Sequence, residues 1–411
     1  MRKPETLPQQ GRGVRQERKM KDLVKVSLDK LERWIEDHHY KGYEPFDGLS
    51  SSLRPLTCGN LFLDRLLLQL VRQSPVNLRP LLGVKPQEST KGRGYMAAGY
   101  IQRYKVTGGD RYKKKAETCL DWLIQNKSPK FTQYTWGNHF DFASRSGGYS
   151  SHEPIIVWTA LIGQAFLDGY EILKRDEYLA VAVSICDWIL TLPREKTEVG
   201  TCISYVAFKQ SSIHNSNMLG AAMLARTSKF VKNDEALAVA KEAMIYSCTR
   251  QLANGAWYYA EAPNMQWIDN FHTGYNLDSL KCYRDSSHDY TFDENLKKGL
   301  QFLKEHFFEQ NGKPKYYHDK TYPVDSQCAA QAIETLALFS DQDDESFELA
   351  CKVAQWMIEN MQDKDGHFYY RLYPLGIKAK SPMLHWGQGT MFKALAHLLL
   401  RLASTKQRIA L

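Results

Sequence analysis

Pairs of helix-like segments recur along this chain, and a repeat of that kind constrains the fold more than any single motif. In each unit a segment rich in small residues is followed by a short turn, often with Asp or Gly. A second segment with an aromatic near its end comes next. The first helices are predicted to start near Gly94, Thr159, Asn217, His272, Asp325 and Gln388, 53 to 65 residues apart. The second helices read RYKKKAETCLDWLI, EYLAVAVSICDWIL, EALAVAKEAMIYSC, FDENLKKGLQFLKEHF and SFELACKVAQWMIENM. The sixth first helix runs almost to the end of the sequence, so its partner is expected at the other end, over Leu23 to His38. Leu61 to Val71 reads as an extra helix before the first repeat. Three second helices are followed by NGAWYY, NGKPKYY and DGHFYY, in which a turn-forming pair precedes a short extended aromatic segment. Helix pairs need neighbours to cover their apolar faces. Six such pairs can close into an (α/α)6 toroid. The expected fold class is therefore all-α, with short β segments in the loops. An open solenoid is the competing arrangement; Gly, Ala and Ser in the first helices favour closure, because an inner ring is crowded.

The rest of the composition narrows the function classes. The 411 residues are 43% hydrophobic and 24% charged, the balance of a soluble protein. No run reaches the roughly 18 apolar residues of a membrane span, and the stretch Met391 to Leu400 is broken by Lys393 and His397. Two parts are expected: a basic flexible tail over 1–21 and a single toroid domain over 22–411. The tail carries seven basic residues against Glu5 and Glu17, five of the eight net positive charges. The remainder is too weakly basic for a nucleic-acid surface. The tail lacks the apolar core of a secretory signal. Eight scattered cysteines without CxxC spacing read as reduced thiols. A cytoplasmic protein with neither an integral membrane segment nor a nucleic-acid partner is expected.

In a toroid the inner helices run parallel, so the loops entering them open on one face and their polar residues converge. The unusual residues lie in those loops. Before the second inner helix come Trp136, His139, Asp141, Arg145, His152 and Glu153. Before the third come His214, Asn215 and Asn217. Before the fourth come Trp267, Asp269, Asn270, His272, Thr273 and Tyr275. Before the fifth come Tyr322, Asp325, Gln327 and Gln331; before the sixth, His385, Trp386 and Gln388; before the first, Lys91, Arg93 and Tyr95.

Each also has a plain structural reading. Asp269, Asp325 and Asn217 suit helix N-caps. His214, His272 and His385 suit buried, hydrogen-bonded rings, and Trp136, Trp257, Trp267 and Trp386 suit a core or collar. Arg145 suits an ion pair with Asp141 or Glu153. Gathered on one rim, they point instead to a funnel for sugars, whose C–H faces stack on aromatics and whose hydroxyls bond to amides and carboxylates. Asp141, His214, Asp269, His272 and Asp325 are the catalytic candidates. Two of the three aspartates would be acid and base in glycoside cleavage; His214 and His272 would move a proton in an epimerase. Trp136, His139, Arg145, Asn215, Asn217, Trp257, Trp267, Asn270, Tyr275, Gln327, His385, Trp386, Gln388 and Arg93 are the substrate-binding candidates.

The segments WIDNFHTGYNLDSL, HWGQGT and WGNHFDFASR, together with the repeat, resemble the six-hairpin glycosidase-like proteins of polysaccharide-biosynthesis loci, from about Lys41 onward. That resemblance implies an (α/α)6 toroid. It is shared more distantly with unsaturated glucuronyl hydrolases and N-acylglucosamine 2-epimerases, neither of whose catalytic motifs matches residue by residue. HTGYNLDSL is also similar to the zinc-ligand helix of protein prenyltransferase β-subunits, but that family's Asp and Cys ligands are missing, so no metal is expected and no cofactor. Walker A, GxGxxG, GxSxG and HExxH patterns are absent. The expected function is a saccharide-active enzyme (glycoside hydrolase, lyase or epimerase) in polysaccharide or glycan biosynthesis, with an oligosaccharide or other sugar-containing substrate and a complex with other biosynthesis proteins. A non-catalytic glycan-binding or assembly protein and an isoprenoid cyclase-like toroid are the alternatives.

Overall fold

Inner and outer helices alternate along the chain. The structure, a computed structural model, describes residues 9–145 and 147–409. In order the helices are α1 (Gln9–Asp37), α2 (Leu61–Gln73), α3 (Thr90–Thr107), α4 (Asp110–Gln125), α5 (Ile156–Leu173), α6 (Asp176–Thr191), α7 (His214–Ser228), α8 (Asp234–Thr249), α9 (Asn270–Ser287), α10 (Asp293–His306), α11 (Ser326–Phe339), α12 (Asp344–Met361) and α13 (Thr390–Ile409). The odd-numbered helices from α3 to α13 each pack on the next, and α13 packs back on α3. Helices α4, α6, α8, α10 and α12 back the inner helices that precede them, and α1 backs α13. Six hairpins thus close into an (α/α)6 toroid, and the open solenoid falls. The first helix begins at Gln9 rather than Leu23, within the segment expected as a tail; residues 1–8 lie outside the described residues.

A helix covered on every side has no polar stripe. Every residue of α11 from Ser326 to Ala337 is buried. Such a ring closes only where side chains are small. A β-carbon at Gly99 of α3 would fall 2.5 Å from the Phe392 ring of α13, and one at Gly163 of α5 would fall 2.6 Å from the Met223 sulfur of α7.

The three matching turns show that α1 is the sixth outer helix. Gly255, Gly312 and Gly366 have φ of 91°, 85° and 108°. A β-carbon at Gly255 would meet the Lys298 carbonyl of α10 at 2.3 Å, and one at Gly312 the Lys352 carbonyl of α12 at 2.7 Å. At Gly366 it would meet the Lys30 carbonyl of α1 at 2.4 Å. Each turn therefore seats on the next outer helix, and the last seats on α1. Gly366→Ala combines left-handed backbone strain with this clash and is expected to cost about 2–4 kcal/mol in urea unfolding. Gly376, at φ 76° with nothing within 4 Å, is the control, for which Ala should cost only about 1 kcal/mol. Equal losses would show that the Lys30 contact is not tight.

Short strands decorate the mouth. β1 (Phe142–Ser144) pairs antiparallel with β2 (Gly147–Tyr149), Phe142 opposite Tyr149. β3 (Arg194–Lys196) pairs with β4 (Thr201–Ile203). β5 (Val324–Asp325), β6 (Arg371–Leu372) and β7 (Lys378–Ala379) form one small antiparallel sheet that ties the start of α11 to the segment before α13. Among the described residues no helix is long and apolar enough to cross a membrane, and all eight cysteines are free thiols.

Candidate active site

The first turns of the inner helices meet at one cavity of about 1210 Å³. Each helix contributes: Lys91 from α3, Trp158 from α5, Asn215 from α7, His272 from α9 and Gln327 from α11. His385 and Trp386 come from the π-helical turn Leu384–Gly389 that leads into α13. Walls are added by the β1–β2 hairpin, by α2, and by the segments around Tyr259 and Tyr317. Fourteen of the 37 lining residues are aromatic, a density of flat faces that suits pyranose rings.

Two aspartates organise this mouth in the same way, one repeat apart. Asp269 caps α9 by accepting the His272 N–H at 3.0 Å. Its other oxygen accepts from His272 Nδ1 at 2.6 Å and from Trp267 Nε1 at 2.8 Å. Asp325 caps α11 through the Gln327 N–H at 2.9 Å, accepts from Trp386 Nε1 at 2.8 Å, and pairs with Arg371 Nε at 2.6 Å. Both carboxylates are buried, behind the side chains they hold. With Nδ1–H committed to Asp269, the His272 ring keeps its lone pair on Nε2. Among the described residues no protein group bonds that atom, and the ring lines the cavity. Trp267 stacks on Tyr259, centroids 4.4 Å apart. Across the floor, Gln327 Nε2 donates to the Tyr275 hydroxyl at 2.7 Å, which lies 2.9 Å from the Tyr95 hydroxyl.

His385 lies against the Glu44 carboxylate. Burial pushes the imidazole pKa down while the carboxylate beside it pulls the other way, and the ring lines the cavity. Among the described residues, charge on the lining is lopsided: Arg65, Arg72, Lys91, Arg145, Lys320 and Arg371 face a single carboxylate, Asp319. Arg72 stacks on Phe46 and Trp386, 4.6 Å and 5.7 Å from their ring centres. Among the described residues no three His, Cys, Asp or Glu side chains are placed to hold a metal ion.

Of the residues named from sequence, Lys91, Tyr95, Arg145, Asn215, Trp267, His272, Tyr275, Gln327, His385 and Trp386 line the cavity, with Asp269 and Asp325 directly behind. The others are placed elsewhere. Asp141 pairs with Arg54 at 2.6 Å and accepts the Ser151 N–H; burial would raise its pKa, and these bonds hold it below the ordinary value. His214 is wedged between Ser247 at 3.2 Å and Glu261 at 2.7 Å. Trp136 and Trp257 are core residues whose N–H groups donate to the Leu123 and Ser247 carbonyls. Asn217 accepts the Ile203 N–H and donates to the Ala243 carbonyl. Asn270 donates to the Lys315 carbonyl, and Gln388 bridges the backbone of Phe368. His139 is held down to about 4 by burial, with the charges of Lys91 and His152 adding; it does not line the cavity. Arg93 pairs with Glu88 and lies over Tyr40 at 3.9 Å, away from the mouth.

Arg93 and Lys91 are two residues apart, about 200° of helix rotation, so only one faces the axis. The same geometry turns His214 toward α8 while Asn215, one step on, lines the cavity. The sequence reading also missed Glu44, Trp158, Arg65, Arg72 and the paired tyrosines Tyr258–Tyr259 and Tyr316–Tyr317. The tyrosine pairs did carry a signal: both follow the Asn-Gly turns of the repeat.

No protein-family model matches the sequence, and no curated protein does. Solved structures do match in fold. A cellobiose 2-epimerase from Bacillus thermoamylovorans superposes with a TM-score of 0.60 at 10% identity, covering 79% of this chain and 90% of that one. A GH76 alpha-mannanase from Bacteroides thetaiotaomicron gives 0.58 at 12%, covering 78% and 88%. A D-mannose isomerase gives 0.56 at 15%, covering 76% and 87%. All are six-hairpin (α/α)6 toroids, the architecture that ring closure establishes here.

Proposed function

We propose that this chain is a carbohydrate-active enzyme that removes a proton from a sugar carbon, with His272 as the base. The carrying observation is the Asp269–His272 pair: a buried carboxylate fixes Nδ1 at 2.6 Å in a ring that lines an aromatic cavity. Epimerisation and elimination share that first step, since the imidazolium then returns the proton to the opposite face of the planar carbon, once that intermediate has turned, or passes it to the leaving oxygen. Asp269 is a positioning residue. His385 hydrogen-bonds a sugar hydroxyl. His214 lies off the cavity, so the two-histidine relay expected with His272 finds no support. The fold neighbours include epimerases and an isomerase of sugars, in keeping with this class. The resemblance to polysaccharide-biosynthesis proteins supplies the setting, a cytoplasmic glycan pathway.

Glycosidic hydrolysis is the weaker reading. It needs two available carboxylates, and among the described residues only Asp319 lines the cavity. Inactive variants of a Salegentibacter mannanase of this fold are altered at two consecutive aspartates; no consecutive carboxylates line this mouth. A cyclase would need an acidic cluster in an apolar cavity, and six cations oppose it. The test is turnover in deuterated water of a panel of reducing and acidic oligosaccharides, read by mass spectrometry and NMR. Wild type should place solvent deuterium on a sugar carbon, and His272→Gln should lose at least about 10²-fold in that rate. Bond cleavage without exchange, or full activity in His272→Gln, would overturn the assignment. Binding without any turnover would favour the glycan-binding alternative.

A further inference from the structure

Lys91 is buried with an aromatic face beside its ammonium and, among the described residues, no carboxylate. It is 5% exposed, and its Nζ sits 4.0 Å above the centre of the Trp158 ring. Among the described residues no carboxylate pairs with it, and burial pushes its pKa well below the usual lysine value. It is also the second residue of α3, where the free N–H groups of a helix start already carry partial positive charge. Arg93, two residues on, is paired with Glu88, so the absence of a partner at Lys91 is local. A buried, unpaired ammonium is costly unless something neutralises it. The surroundings compound that cost, because among the described residues only Arg371 of the six lining cations has a carboxylate partner, Asp325, and the single lining acid is Asp319. Arg145, over Trp267 at 5.3 Å, and Arg65 extend the positive field outward along the cavity walls, and a walled cleft focuses such a field on incoming anions.

We propose that Lys91 anchors an anionic substituent (carboxylate, sulfate or phosphate) on the saccharide that this cavity takes. The inference rests on the saccharide reading above and names the class of sugar: an acidic one. The ammonium gains its counter-ion from the ligand, while the Trp158 face beneath it holds the ammonium in place. A neutral sugar would leave the charge uncompensated and gain only the aromatic contacts.

The test is binding, read by tryptophan fluorescence and by melting temperature, with trigalacturonate, a sulfated chondroitin disaccharide, a hexose phosphate and neutral maltotriose. Wild type should hold at least one acidic probe about tenfold or more tighter than maltotriose, with a preference that shrinks as salt rises. Which acidic arm binds identifies the anion. Lys91→Met should lose that preference and, unliganded, melt a few degrees higher, because a buried lone charge is gone. Equal affinity for maltotriose, no binding of any acidic probe, or a preference that survives Lys91→Met would overturn the proposal. So would its loss in Arg145→Gln but not in Lys91→Met, which would place the anion at the outer wall. A failure of the proton-transfer reading looks different: acid-selective binding stays while deuterium exchange is missing.

Discussion

Asp269→Asn is expected to lower turnover roughly 10²–10⁴-fold in a protein that still folds. One proton decides the effect. Asp269 accepts the His272 Nδ1–H at 2.6 Å, which fixes the tautomer with its lone pair on Nε2. An asparagine can cap α9 as well as aspartate does, its carbonyl accepting the His272 N–H, which leaves its NH2 facing both His272 Nδ1 and Trp267 Nε1. Its amide offers a donor where a carboxylate oxygen stood, so the ring is driven to carry its proton on Nε2 and ceases to be a base. The loss should appear in kcat, since the sugar-stacking surfaces are untouched, and the melting temperature should move little. A variant with wild-type kcat would show that His272 does not act as the base, or that it needs no orientation.

The second large effect concerns stability. Asp325→Leu leaves the Arg371 guanidinium, 3% exposed, without its carboxylate, and strips the Trp386 N–H of its acceptor. Breaking one side of a buried pair typically costs about 3–5 kcal/mol. The double variant Asp325→Leu/Arg371→Met should recover much of that loss, because the stranded charge goes with its partner. Urea unfolding of both singles and the double forms the cycle. A single-variant loss under about 1 kcal/mol would mean that water reaches Arg371 and screens it.

The ring was legible because its signals are local. The spacing of small-residue helices, the turn glycines of NGAWYY, NGKPKYY and DGHFYY, and the capping types at Asp269 and Asp325 all lie within a few residues of what they control. The direction of side chains at the mouth was not. A one-residue step turns a helical side chain by about 100°, and the sequence offered no way to choose Lys91 over Arg93, or Asn215 over His214. Partnerships across the fold were equally hidden. Glu44 meets His385, and Asp325 meets Arg371 and Trp386, only because the toroid brings distant segments together. Asp141 was placed in the mouth by its neighbours in sequence, but the nearby Arg54 draws it into a wall contact.

Helix α13 bridges α11 and α3 in the inner ring with α1 behind it, and the turn just before it carries His385 and Trp386. As synthesis proceeds, the last helix of the ring to emerge is therefore the keystone of both the scaffold and its chamber. Until it docks, the earlier hairpins form an arc with two raw edges and an incomplete mouth, so a partly made chain has nowhere to seat a ligand. Assembly and competence arrive in a single late event, and the edges it seals are where a chaperone would have to stand guard.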